Sequence, residues 1–477
     1  MTQTATPPPT EVGARPVVNP TAVVAVACFC GISVAVTQTL IVPLIPLLPG
    51  LLHTSAGNAA WAVTATLLTA AVMMPISGRL GDMFGKRLML VLSLVALLAG
   101  SLLCALTSSL VPVVAGRALQ GVSMGAIALG ISIMRDELPA DRVGPAVARV
   151  SATLGVGGAI GLPVAAVIVE KSSWHVLFWV AAALAALCIA AVVYVIPESP
   201  VKTPGRFDVL GALGLGSALV MLLLAVTKGA DWGWTDGLTL GLLGGAVVVL
   251  LVWGAWELRN STPLVDLRVS AKPQVLFTNM ASIAVGFAMY GMSLMPIQLL
   301  LAPSTTGYGE GLTLIKAGLV IAPSGFMMYL FSGVGARLSA ARGPRTSLAV
   351  GVVILAAGYL SLLAMRDTWW QVCLAVVFNG IGIGIAYAAM PALIMGAVPI
   401  TETAAANGLN ALMRSVGTSL SAAAVGAVLA HQTVTRDAIT LPSSGGFTLA
   451  ILISLGAAAA ALALSLAIPS RSTAQIH

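Results

Sequence analysis

The side chains in this sequence that could do chemistry are isolated polar groups in apolar surroundings. Asp82 lies in Gly78–Arg87, GRLGDMFGKR, a carboxylate set among Arg79, Lys86 and Arg87 between two apolar runs. Arg117, in GRALQG, has Gln120 about one turn further on. Arg414 follows Asn407 and Asn410 at a 3–4 spacing that places them on one helical face. Glu170 precedes Lys171 at the end of another apolar run, and Asp136 follows Arg135 at the end of a third. Groups of this kind can form ion pairs, exchange partners and carry protons. They make no nucleophile–base set, no phosphate loop and no metal cluster, so neither an enzyme nor a cofactor is expected. Cys28, Cys30, Cys104, Cys188 and Cys373 all fall inside apolar runs and read as buried thiols.

The elements that must position these groups are membrane helices. The chain is 58% hydrophobic and only 8% charged, with mean hydropathy +1.01, more apolar surface than a water-soluble domain can hide. A helix needs roughly 20 apolar residues to cross a bilayer. Fourteen such runs are expected between 21 and 469, the first preceded by a disordered cytoplasmic tail over 1–20. With both termini cytoplasmic, sixteen of the 23 Lys and Arg residues fall on the inner side and five on the outer. That excess sets the orientation and argues against nucleic acid as a partner.

The loop at 78–87 recurs in degraded form as ARLSAARGPR at 336–345. Arg79, Leu80, Gly85 and Arg87 return as Arg337, Leu338, Gly343 and Arg345, while Ala340 replaces Asp82. A basic loop repeated between apolar helices implies two similar halves of parallel orientation. The expected division is a six-helix bundle over 21–200, a two-helix insertion over 201–262 and a second six-helix bundle over 263–477. Substrate would bind between the halves, with Gln38, Trp61, Gln120, Asn279, Tyr290, Gln298, Asn379, Tyr387, Asn410 and Arg414 as candidate cavity residues.

These motifs together resemble the fourteen-helix drug/proton antiporters of the major facilitator superfamily. The resemblance covers nearly all of the chain after residue 20 and rests on GRLGDMFGKR, GRALQG, the glycine-rich GVGGAIGLP at Gly155–Pro163, GRFDVLGAL at Gly205–Leu213, and ANGLNALMRSVG at Ala406–Gly417. It implies an all-α integral membrane protein of the major facilitator fold whose activity is drug/proton antiport. Gating is assigned by the resemblance to Gly78, Asp82, Gly85, Lys86, Arg87 and Asp136: it implies that Asp82 meets the start of the run at 403–430, where unpaired N–H groups and the helix dipole favour a carboxylate, and Asp136 would then pair with Lys86 or Arg87. Proton transfer is assigned to Arg117, and a role in antiport to Gly155, Gly158, Gly161 and Pro163. The pattern fails in places: Met83 stands where a basic residue is usual, Leu162 separates Gly161 from Pro163, and Thr37 replaces the aspartate usual in the first helix. No acidic residue is expected in mid-membrane, so a coupling proton would have to use Arg117 or the helix-end carboxylates Asp82, Asp136 and Glu170. The resulting expectation is a monomeric, multi-pass exporter of hydrophobic or amphiphilic compounds in the cell membrane, in contact with lipid and driven by protons. Missing mid-membrane carboxylates disfavour a strictly cationic substrate. An uncoupled facilitator or lipid translocator is the alternative.

Overall fold

A computed structural model describes residues 19–469, apart from 46, 200, 201, 204, 437 and 438. All but the last two residues of the expected tail therefore lie outside the described residues, as do Arg15 and Arg471. Fourteen helices are long and apolar enough to cross a membrane. They are α1 (Pro20–Thr39), α2 (Trp61–Phe84), α3 (Lys86–Ala105), α4 (Leu110–Glu137), α5 (Ala140–Lys171), α6 (His175–Val195) and α7 (Val209–Trp232), followed by α8 (Gly237–Arg259), α9 (Pro273–Leu301), α10 (Leu314–Arg342), α11 (Pro344–Ala364), α12 (Trp369–Met395), α13 (Thr403–His431) and α14 (Ser444–Ala467). A 3-10 turn at Ser123–Gly125 interrupts α4. A two-stranded hairpin, β1 (Thr433–Arg436) and β2 (Ile439–Pro442), joins α13 to α14.

Apolar side chains place the helices, and local polar groups end them. Asn19 caps α1 by accepting from Thr21 N–H at 3.0 Å, and Thr368 and Gln371 form a capping box at the start of α12. Two six-helix bundles result, α1–α6 and α9–α14, with α7 and α8 inserted between them in sequence. The repeated loops turn alike. Gly85 and Gly343 both have positive φ, 113° and 86°, a conformation that favours glycine. Two residues on, Arg87 donates to the Val193 carbonyl of α6 at 2.6 Å, and Arg345 donates to the Leu466 carbonyl of α14 at 2.5 Å. Each arginine ties the loop to the last helix of its own bundle.

The bundles meet along two seams. In one, α2 packs on α13, and α7 lies against both, with Ala70, Ala71 and Met74 of α2, Leu215 and Leu219 of α7, and Leu412 and Val416 of α13 in one apolar cluster. In the other, α5 packs on α10 and α12. Close backbone approach there depends on small residues: a Cβ on Gly325 would lie 2.1 Å from the Gly155 carbonyl oxygen.

Candidate functional site

At the end of the molecule that carries the basic loops, Asp82 joins the two bundles. It sits in the last turn of α2, 1% exposed, and spans the seam to the start of α13. Ala404 N–H donates to Oδ1 at 3.2 Å and Ala405 N–H to Oδ2 at 2.9 Å. These amides belong to the first turn of α13, where helix geometry supplies no internal acceptors, and the positive end of the helix dipole meets the carboxylate. Contact this close needs Gly78, since a Cβ there would lie 2.4 Å from the Ala404 carbonyl oxygen. Gly81 likewise faces Leu129 of α4.

Lys86 organises the charge behind this contact. It is fully buried, with Nζ 2.6 Å from Asp136 Oδ2 and 3.8 Å from Asp82 Oδ1. Asp136 also accepts from Ser199 Oγ–H. Of the two expected partners for Asp136, the structure brings Lys86; Arg87 turns away to Val193. Two residues outside the sequence-derived set reinforce the seam. Arg135 donates to Thr403 Oγ1 at 2.8 Å, and Thr203 Oγ1–H donates to the Thr401 carbonyl at 3.0 Å. Arg135 was legible as a basic residue beside Asp136, but nothing local gave its reach across the seam. Beside the seam a cavity of about 220 Å³ is lined by Arg79, Leu264, Val265, Glu402 and Ala405, among others.

A second polar group lies deeper, in the α9–α14 bundle. Arg414 is about 16 Å along α13 from its start at the helical rise per residue. Its Nη1–H donates to Asn410 Oδ1 at 2.8 Å, and its guanidinium carbon is 5.0 Å from the centre of the Tyr387 ring. Asn410 Nδ2 donates in turn to Asn279 Oδ1 at 2.9 Å and to Ser282 Oγ at 2.8 Å. Tyr387 O–H points to Met289 Sδ at 3.1 Å. The chain thus gathers α9, α12 and α13 around Arg414, whose side chain remains half-buried. Among the described residues neither Arg414 nor Arg117 has a carboxylate within ion-pairing distance.

The other expected residues lie elsewhere. Asn407 does not share the Arg414 cluster: its Nδ2 donates at 2.9 Å to the Thr403 carbonyl of its own helix. Arg117 and Gln120 are enclosed within the α1–α6 bundle. Arg117 Nε donates to the Ala62 carbonyl at 3.1 Å and Nη1 to Gln120 Oε1 at 2.6 Å, while Gln120 Nε2 donates to Ser101 Oγ at 2.8 Å. Gln120 is fully buried by these contacts, which sets it apart from the Arg414 group. Gln38 Nε2 and Asn379 Oδ1 are buried without hydrogen-bond partners, and Asn379 packs at the α11–α12 contact beside Gly358. Trp61, Tyr290 and Gln298 are half-buried on α2 and α9. Glu170 is exposed at the end of α5, and it forms no ion pair with Lys171 among the described residues. Adjacent helical residues point in different directions, which separates them.

The glycine run of α5 has two working faces. Gly157 and Gly161 lie against α1, where added Cβ atoms would collide with Ala35 and Thr39. Gly155 faces Met328 of α10, and Pro163 packs near Gly318 of the same helix. Gly158 faces open space, with only Thr39 Cγ2 at 4.0 Å.

Comparison with known proteins agrees with this architecture. The profile described as Major Facilitator Superfamily matches residues 27–422. An MFS-type transporter of Mycobacterium tuberculosis is 28% identical over 412 residues, which cover 84% of this chain and 58% of that protein. The chain therefore spans less than two thirds of that relative's length. The tetracenomycin C resistance and export protein of Streptomyces glaucescens is 27% identical, covering 84% of this chain and 74% of its own. The multidrug resistance protein Stp of Mycobacterium tuberculosis is 26% identical, over 78% and 68% respectively. Among solved structures, the human organic anion transporter MFSD10 (TETRAN) superposes with a TM-score of 0.64 at 14% identity, covering 94% of this chain and 100% of that one. At that identity the likeness concerns the fold. On the profile match across most of its length, this multi-pass membrane chain belongs to the Major Facilitator Superfamily.

Proposed function

We propose that the chain exports hydrophobic or amphiphilic compounds by alternating access, driven by an inward flow of protons. The supporting observation is Asp82, a carboxylate of one bundle holding the first amides of a helix in the other. Such a contact is strong when made and lost as a unit, so it can bias the molecule between two arrangements. The halves over 21–200 and 263–477 would rock about their seams, with 201–262 inserted between them. The basic loops would face the cytoplasm, with both termini on that side of the cell membrane, and the transporter would act as a monomer among lipids.

Substrate would bind at the Arg414 group. Arg414 supplies positive charge, and Tyr387 and Met289 supply adaptable apolar surface. With no carboxylate among the described residues paired to Arg414, neutral and anionic amphiphiles fit better than cations. The relatives named for tetracenomycin C export and for multidrug resistance support a drug-like substrate class. An uncoupled facilitator is the second reading, favoured by the helix-end positions of the described membrane carboxylates.

Vesicles containing the purified protein test this with anilinonaphthalene sulfonate as an anionic probe. An inside-acid gradient should drive saturable accumulation, and Arg414→Ala should weaken apparent probe affinity roughly tenfold or more, the loss of a hydrogen bond to a charged group. Equal rates with and without an uncoupler would select the facilitator. Absence of saturable flux would sink both readings.

A further inference from the structure

The motif GRFDVLGAL opens the inserted helix pair and takes no part in the Asp82 contact. Its aspartate, Asp208, caps α7. Oδ1 accepts from Gly211 N–H at 2.8 Å, and Oδ2 accepts from Asn260 Nδ2 at 2.6 Å and from the Trp256 indole N–H at 3.2 Å. Three donors thus converge on one carboxylate, which has acceptor sites for about four. Glu257 stands beside it near the end of α8, only 2% exposed. Among the described residues no group reaches hydrogen-bond geometry with either Glu257 oxygen, although the Leu264 and Val265 amides and the Trp253 indole face it. Gly211 makes the meeting possible. A Cβ there would lie 2.3 Å from Asp208 Oδ2 and 2.6 Å from Glu257 Oε1, so these oxygens are at most about 5 Å apart.

The surroundings offer little compensating charge. From α7, Asp208 is the ionisable group that faces Glu257. Arg206 and Arg259, before α7 and at the end of α8, are exposed. Beyond α8, Asp266 caps the short helix Leu267–Ser270, and Arg268 donates to the Leu258 carbonyl at 2.8 Å. The helices packed on the rest of α7 present apolar groups, including Val72 and Met74 of α2 and Leu412 and Val416 of α13. Two carboxylates this close, with little compensating charge around them, are not both ionised at little cost.

We propose that Asp208 and Glu257 form a proton-binding site. Glu257 takes a proton from water to become a carboxylic acid whose O–H is directed to Asp208, and it returns that proton to water on release. The segment 261–266 separates the pair from the cavity lined by Arg79, Glu402 and Ala405, and Ala405 is also one of the two amides that hold Asp82. The carboxylate pair and the contact between the bundles are thus separated by one short segment and this cavity. Use of this proton to drive transport rests on the export reading; proton binding does not.

Infrared titration of the purified full-length protein tests the site. The wild type should show a protonated carboxylic acid band at neutral pH that disappears as pH rises. Glu257→Gln should lack that band, and Asp208→Asn, which removes the neighbouring charge, should lose it at lower pH than the wild type. A band of wild-type intensity in Glu257→Gln, or unchanged titration in Asp208→Asn, would overturn the site. If Glu257→Gln fails to fold, the Asp208→Asn titration decides. In vesicles with anilinonaphthalene sulfonate, Glu257→Gln should lose gradient-driven accumulation while keeping downhill flux; retained accumulation would overturn the coupling role. The expected infrared titration without gradient-driven accumulation in the wild type would overturn the export reading alone and support the site.

Discussion

Replacing Asp82 by Asn asks whether one carboxylate holds the bundles together at the basic end. Both oxygens are engaged across the seam, at 3.2 Å and 2.9 Å from the Ala404 and Ala405 amides. Asparagine has nearly the same shape but one acceptor oxygen, so it keeps one of these bonds and turns an NH₂ group toward the other amide. It also removes the charge that meets the helix dipole. A hydrogen bond to a charged group contributes about 1.5–3 kcal/mol. A charge at a helix start adds about 0.3–1 kcal/mol, and up to about 2 when partly buried. Part of this gain is offset because Asp82 is buried and its ionised form is costly to desolvate. A net loss of about 2 kcal/mol follows, roughly a 30-fold change in the ratio of joined to separated bundles. Paired spin labels at Gly144 and Ala341, exposed at the basic ends of α5 and α10, would report it as a distance distribution in a cysteine-free background. Asp82→Asn should raise the ratio of long- to short-distance populations by roughly that factor. Identical distributions in wild type and variant would refute the reasoning.

Other consequences are accessible to simpler measurements. Gly325→Ala would drive a Cβ into the Gly155 carbonyl and should destabilise the protein by about 1–3 kcal/mol, seen as a lower unfolding midpoint in detergent. Gly333→Ala, with open space around it inside α10, should leave that midpoint unchanged or slightly raised and serves as the control. Lys86→Met leaves Asp136 and Asp82 buried without their cation and should cost about 3–5 kcal/mol, read as loss of monodisperse protein. Adding Asp136→Asn should restore part of that yield, and no restoration would argue against the ion pair as the cause.

Legibility from sequence followed the range of the forces involved. The fourteen spans were legible because hydropathy over about 20 residues is a property of the local run. The repeated loop was legible too, and its paired glycines and arginines make matching turns and contacts. That Asp82 faces the start of α13 was implied by the family resemblance of its loop, and the preference of carboxylates for helix N-termini is its physical reason. Helical spacing placed Asn407, Asn410 and Arg414 on one face but could not give their partners: the Asn407 amide satisfies itself on the preceding turn. Gln120 followed Arg117 correctly but is enclosed between α3 and α4, which no one-dimensional pattern specifies. Glu257 reads as an ordinary helix-end acid; the chain after α8 folds back over it and removes it from water.

By itself the sequence determined a membrane chain of two parallel halves and where its charges fall along the helices. Those properties depend on composition, local periodicity and the cost of placing charge in hydrocarbon, all of which act within one helix or loop. Only the tertiary structure decided which polar groups meet: Asp82 with two amides of α13, Arg414 with Asn410 and Tyr387, and Asp208 with Glu257. The physical reason is that helix rotation, tilt and the docking of α7 between α2 and α13 are set by packing among many side chains at once, and no single segment carries that information.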